Sequence, residues 1–176
     1  MEILAALVTE HKVIRGWLHN LCEIPHSNLN TRSAFIDYII HLLAVHHQLE
    51  EVTFYTPLKV ANPICAVTLT RHLDHGVFLI QLQNLKKISE ATAWETSTRQ
   101  LRATIENHFI EEESFIFLAG KTHFTEEEGK QLGQLFKKMQ EKLHEQKSVK
   151  ADFWPLLVEV PPRFYREVRT MFEALT

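Results

Sequence analysis

The chain has 176 residues, 45% of them hydrophobic and 23% charged, with a net charge of −3, 5 glycines and 6 prolines. This is the profile of one soluble globular domain, or one domain plus an extension, with enough apolar mass for a core. It excludes a collagen-like or turn-rich all-β chain, a basic nucleic-acid binder and, since no apolar run nears roughly 20 residues, a membrane-spanning protein.

Helical periodicity runs through nearly the whole sequence, without sustained two-residue alternation. The opening MEILAALVTEH has no basic n-region or small-residue cleavage site, so it reads as the start of helix A, residues 2–24, and not as a signal peptide. Pro25 and the polar tract after it separate this helix from helix B, residues 32–56, which Pro57 and Asn62-Pro63 are expected to close. Helix C is expected over 64–90 and helix D over 95–119, with a soft boundary of Ser and Thr at 91–98 and a stop at Gly120. Thr125 followed by three glutamates opens a fifth helix over 125–146 through a capping Thr and an acidic first turn. These lengths and short connections predict an all-α fold, an up-down-up-down four-helix bundle with additional C-terminal helices. Residues 1–146 form the bundle and its following helix, and 147–176 form an extension. Its PLLVEV and FYREVRTMF segments are apolar enough to pack on the bundle or on a second copy in a homodimer.

Histidine is the compositional anomaly, with 11 copies against 5 glycines. Each helical residue advances about 100°, so a wheel separates inward from outward histidines. In helix B, His46 shares its face with Phe35, Ile39, Leu42, Leu43 and Leu49, and Glu50 lies about 40° away. Helix D repeats the pattern, with His108 beside Leu101, Ile105 and Phe115 and with Glu112 four residues on. Helix A sets His11 among Leu4, Leu7, Val8, Ile14 and Leu18, and helix C sets His75 above Phe78, Leu79 and Leu82. The remaining histidines His19, His26, His41, His123 and His144 lie on polar faces or in loops.

A single core histidine is ordinarily a hydrogen-bonding residue, and an i,i+4 His–Glu pair also occurs on helix surfaces. Two carboxylates and four imidazoles aimed into one small core are different. Each buried carboxylate is costly unless paired or metal-bound, and carboxylate with neutral imidazole is a first-row transition-metal ligand set. Such a set accepts iron, and manganese or zinc as well. The glutamates 111 and 113 beside Glu112 read as solvated or supporting charges. The aromatic residues after each HxxxE, Phe54-Tyr55 and Phe115 with Phe117, read as core that walls the site.

Ferritin-like di-metal bundles use lone glutamates and ExxH pairs. Here the order is His, HxxxE, His, HxxxE, carried by TEHKVIRGWL, HHQLEEVTFYTPL, LDHGVFLIQL and NHFIEEESFIF. From His11 to about residue 145 the chain resembles the hemerythrin-like, or HHE cation-binding, family. The resemblance implies two iron ions in a carboxylate-bridged di-iron centre, with terminal ligands His11, His46, His75 and His108 and bridging ligands Glu50 and Glu112. Oxygen-carrying hemerythrins place a fifth histidine one turn before the helix C ligand, where this chain has Arg71. His72, about 60° from His75, and His47 are the auxiliary candidates for that place.

The implied partner is a small ligand, namely dioxygen, nitric oxide or peroxide. Binding or sensing one of these, or handling iron, is the leading expectation, and no sequence motif for electron delivery favours an enzyme. The rivals are a di-iron oxidoreductase acting on peroxide or nitric oxide and an iron-responsive regulatory module, in which metal affinity is folding free energy. Cys22 and Cys65 form no CxxC pair and read as small buried hydrophobes, as in a reducing cytoplasm.

Overall fold

A computed structural model describes residues 1–63, 72–146 and 151–175, with side chains described for 75–145 of the second stretch. Every regular element among the described residues is helical. Helix α1 spans Glu2–Glu23 and buries Ile3, Leu4, Leu7, His11, Ile14, Leu18 and Leu21, one face at helical spacing. Helix α2, Leu29–Glu50, starts earlier than the composition predicts because the Asn28 side chain accepts a hydrogen bond from the Thr31 N–H.

Past Glu50 the chain widens into a π-helical turn, Glu51–Tyr55, before resuming as α3, Thr56–Ala61. The expected stop at Pro57 is therefore displaced to Asn62-Pro63. Pro57 falls in the first turn of α3, where the wide turn before it relieves the clash of its ring with a preceding carbonyl.

Helix α4 is His72–Leu85, so the first part of expected helix C, residues 64–71, lies outside the described residues. Helix α5, Ala91–Glu111, absorbs the Ser/Thr stretch that reads as a boundary. The Glu90 carboxylate caps it at the Thr92 and Ala93 N–H groups, and the Thr98 hydroxyl bonds back to the Trp94 carbonyl at 2.9 Å. A second π-helical turn, Glu112–Ile116, leads into α6, Phe117–His123. Gly120 does not end this helix. It is the place where the Phe54 ring presses against the backbone, and a Cβ there would lie 2.7 Å from that ring.

Helix α7, Glu126–Gln146, begins with a reciprocal capping box, Thr125 Oγ1 accepting from the Glu128 N–H and Glu128 Oε2 accepting from the Thr125 N–H. Two short 3-10 turns, Trp154–Glu159 and Pro162–Phe164, and helix α8, Tyr165–Leu175, complete the described chain.

Helices α1, α2, α4 and α5 pack as a ring, each against two of the others, and α7 lies against α1 and α2. Two apolar clusters fill the interior. One contains Ile14, Leu18, Ile36, Leu43, Phe78, Leu82, Trp94 and Ile105; the other contains Leu4, Leu7, Leu49, Phe54, Phe117 and Phe136 and extends to Phe153, Phe164 and Phe172. Along α1 the boundary between them falls at His11, and along α2 it falls between Leu43 and Val45, beside His46. The inward histidines thus sit where one apolar cluster gives way to the other. The C-terminal residues are part of the second cluster, with α8 packed on α3 and on the first π turn.

Candidate metal centre

The six residues singled out by the wheel are all buried, with His11, His46, Glu50 and Glu112 fully so. They form two trios, His11 with His46 and Glu50, and His75 with His108 and Glu112, each with its ligand atoms within 4.8 Å of one another. The trios interlock through the carboxylates. Glu112 lies 3.1 Å from His108 Nε2 in its own trio and 3.4 Å from His11 Nε2 in the other. Glu50 lies 3.9 Å from His46 Nε2 and 3.8 Å from His75 Nε2. Between the histidines of the second trio the two Nε2 atoms are 3.1 Å apart. In every one of these contacts the histidine presents Nε2.

The donor set is poorly satisfied by protein alone. His11 Nε2, both nitrogens of His46, both oxygens of Glu50 and Glu112 Oε2 are buried without a hydrogen-bond partner among the described residues. Orphaned buried groups of this kind carry a desolvation cost of about 1–3 kcal/mol each, so native proteins keep few of them. Neutral imidazole and carboxylate donors fit a divalent first-row transition metal, which would satisfy these atoms together.

Burial sets the protonation states. It lowers the His11 pKa to about 3, with Arg15, His108 and His75 adding to the effect. His46 and His47 are held well below the usual histidine range, again chiefly by burial. Neutral imidazoles are what metal binding requires. Glu50 is pushed well above the usual carboxylate range by burial and by the facing Glu112. Like charges this close resist joint ionisation unless a cation lies between them.

Around the trios the walls are aromatic. Phe109 stacks on His11 with ring centroids 4.0 Å apart, and Phe78 meets His108 edge-on at 5.2 Å. His47 lies outside both trios and stacks on His75 at 3.6 Å with the planes 2° apart. The other auxiliary candidate, the His72 side chain, lies outside the described residues, as do Arg71 and Cys65.

Three features escape the sequence reading. The first is the pair of π-helical turns, one directly after Glu50 and one beginning at Glu112, a form concentrated at functional sites. It alters the outcome for Phe115. A regular helix brings Phe115 back to the His108 face, but the wide turn delays its rotation and directs it away from the site, where it is 72% exposed. Phe115 therefore is not core, whereas Phe54, Tyr55 and Phe117 are buried.

The second is Tyr55, whose hydroxyl donates to Glu112 Oε1 at 2.6 Å from across the site. The third is the set of partners of Glu113, which the sequence reads as a solvated or supporting charge and which accepts from His11 Nδ1 at 2.8 Å and from Arg15 Nη1 at 2.8 Å. A carboxylate acceptor fixes the hydrogen on Nδ1 and leaves the Nε2 lone pair for the site. Arg15, one turn after His11, is the sequence signal for this support, since a cation there calls for an acidic partner.

Among the described residues no helix is long and apolar enough to cross a membrane. Comparison with curated proteins and with solved structures gives no match. The family model of the hemerythrin HHE cation binding domain matches residues 2–119, which include both trios and both π turns. The chain belongs to the hemerythrin HHE cation binding domain family.

Proposed function

We propose that this chain is a non-haem di-iron protein that binds or senses a small ligand such as dioxygen or nitric oxide. One iron position is assigned to His11, His46 and Glu50 and the other to His75, His108 and Glu112, in an up-down-up-down bundle formed by residues 1–146, with 147–176 as an extension. The observation that carries this reading is the interlocking of the trios, since each buried carboxylate faces an imidazole of both. A pair of irons so held would supply an open coordination position and one- or two-electron changes to dioxygen, nitric oxide or peroxide.

The protein's own contribution is orientation and exclusion of water. Glu113 fixes the His11 ring, and Phe109, Phe78 and Phe117 limit the polar surroundings of the histidines. An apolar shell of this kind controls solvent access and the redox behaviour of a metal site. The two cysteines outside any CxxC pair fit a reducing, cytoplasmic setting.

Elemental analysis of the purified chain, combined with an absorption spectrum in air, tests the reading. Two irons per chain with the charge-transfer bands of a ferric pair are expected. A metal-free chain overturns it, and stoichiometric manganese or zinc reassigns the metal. Steady-state turnover of peroxide or nitric oxide well above that of free iron makes the protein an oxidoreductase instead of a binder or sensor. An elution volume matching one chain removes the homodimer.

A further inference from the structure

The two glutamates occupy equivalent places in the chain pattern but are held unequally. Glu112 Oε1 accepts the Tyr55 hydroxyl at 2.6 Å, whereas among the described residues no donor reaches either oxygen of Glu50. The residue five places after each glutamate explains the difference. After Glu50 it is Tyr55, and after Glu112 it is Phe117, both buried at the end of a π-helical turn or just past it. Phe117 packs beside His11, with ring centroids 5.9 Å apart, and carries no hydroxyl. The same ring position is thus filled twice, and only one copy bears a donor.

Packing alone does not account for that donor. Tyr55 is 1% exposed, and its ring meets Phe54 edge-on at 5.6 Å, as a phenylalanine ring could. A buried hydroxyl is costly unless bonded, so its benefit must come from the acceptor it reaches. The π turn matters here because it changes the direction in which the residue at its end projects.

We propose that Tyr55 is a positioning residue of the metal centre, whose phenol fixes the orientation of the Glu112 carboxylate and makes the two carboxylates of the centre unequally held. This inference rests on the metal-centre reading. Supporting hydrogen bonds to a ligating group hold its geometry, and their loss typically lowers metal affinity about 10–100-fold. Because Glu112 faces both trios, its orientation bears on both.

Titration of the metal-free full chain with Co2+, followed by absorption and by Zn2+ competition, tests the role with Tyr55→Phe. The variant keeps the ring and removes only the hydroxyl. Wild type is expected to take up two ions, and Tyr55→Phe to lose about 10–100-fold in affinity with an altered Co2+ spectrum. The metal-free variant should still fold and melt only a few degrees below the metal-free wild type, since Glu112 Oε1 loses one buried donor. Unchanged affinity and spectrum overturn the proposal. A metal-free variant that melts markedly lower, with Co2+ affinity preserved, also overturns it and makes Tyr55 a packing residue. If wild type itself takes up no Co2+, the metal-centre reading falls first and this one with it.

Discussion

Residues 46–55 and 108–117 carry the same inward histidine, the same glutamate one turn later and the same π-helical turn, yet they bury their continuations very differently. After Glu50, residues Val52, Thr53, Phe54 and Tyr55 are all buried. After Glu112, Ser114 and Phe115 face outward and Glu113 is partly exposed. Thr53 and Phe115 hold equivalent places; the first is fully buried and the second 72% exposed. The cause is what lies outside each turn. Helix α7 and helix α8 pack on the first. A shared motif therefore fixes which atoms point into the centre, while the neighbours decide whether the turn beside it is core or surface.

Metal withdrawal is expected to give the largest effect on this comparison. At metal concentrations a thousandfold above Kd, bound metal stabilises the folded chain by about 4 kcal/mol. For a chain of this size that corresponds to a melting shift of roughly 8–16 °C. Chelation followed by calorimetry should show the loss, and hydrogen exchange should rise more in 112–123 than in 51–61, since the latter stays covered by α7 and α8. An unchanged melting temperature would falsify the link between metal and fold.

Exchanging the residues at the equivalent places probes the comparison directly. Thr53→Phe forces a ring into a filled interior and should cost about 1–3 kcal/mol in chemical denaturation. A cost near zero would mean that the first turn is less tightly covered than its burial implies.

Glu113→Ala removes the acceptor on His11 Nδ1 and should weaken metal binding about 10–100-fold. Glu113→Gln keeps an acceptor and should recover part of that loss. Equal losses in the two variants would assign the effect to the charge at Arg15 and not to the orientation of His11.

The smallest effect is expected at Phe115→Thr. This change removes an exposed ring and should alter stability by no more than about 0.5 kcal/mol. A larger loss would reveal a covering partner for the second π turn, and pull-down of a second copy or a size change on the column would identify a self-association.

Helix positions were largely readable because apolar spacing reports the buried face of a regular helix. His11, His46, His75 and His108 each fall on such a face, and Glu50 and Glu112 follow one turn later. Cap chemistry was equally local, as Thr125 with Glu128 shows. The spacing misleads where the helix ceases to be regular or where a neighbouring ring presses on it. Pro57 and Gly120 have the chemistry of stops, but the widened turn tolerates the first and the Phe54 ring requires the second. Phe115 failed for the same reason, since a wheel built on about 100° per residue loses phase across a π turn.

By itself the sequence determined the all-helical class, the membership of 2–119 in its family and the six polar residues that share one interior. These depend on periodicity and residue chemistry, both of which are local. Tertiary structure alone decided that each carboxylate faces both trios, that Tyr55 reaches Glu112, and that Glu113 supports His11. Those relations join residues 25 to 102 positions apart, and no local spacing encodes a distance set by how neighbouring helices pack.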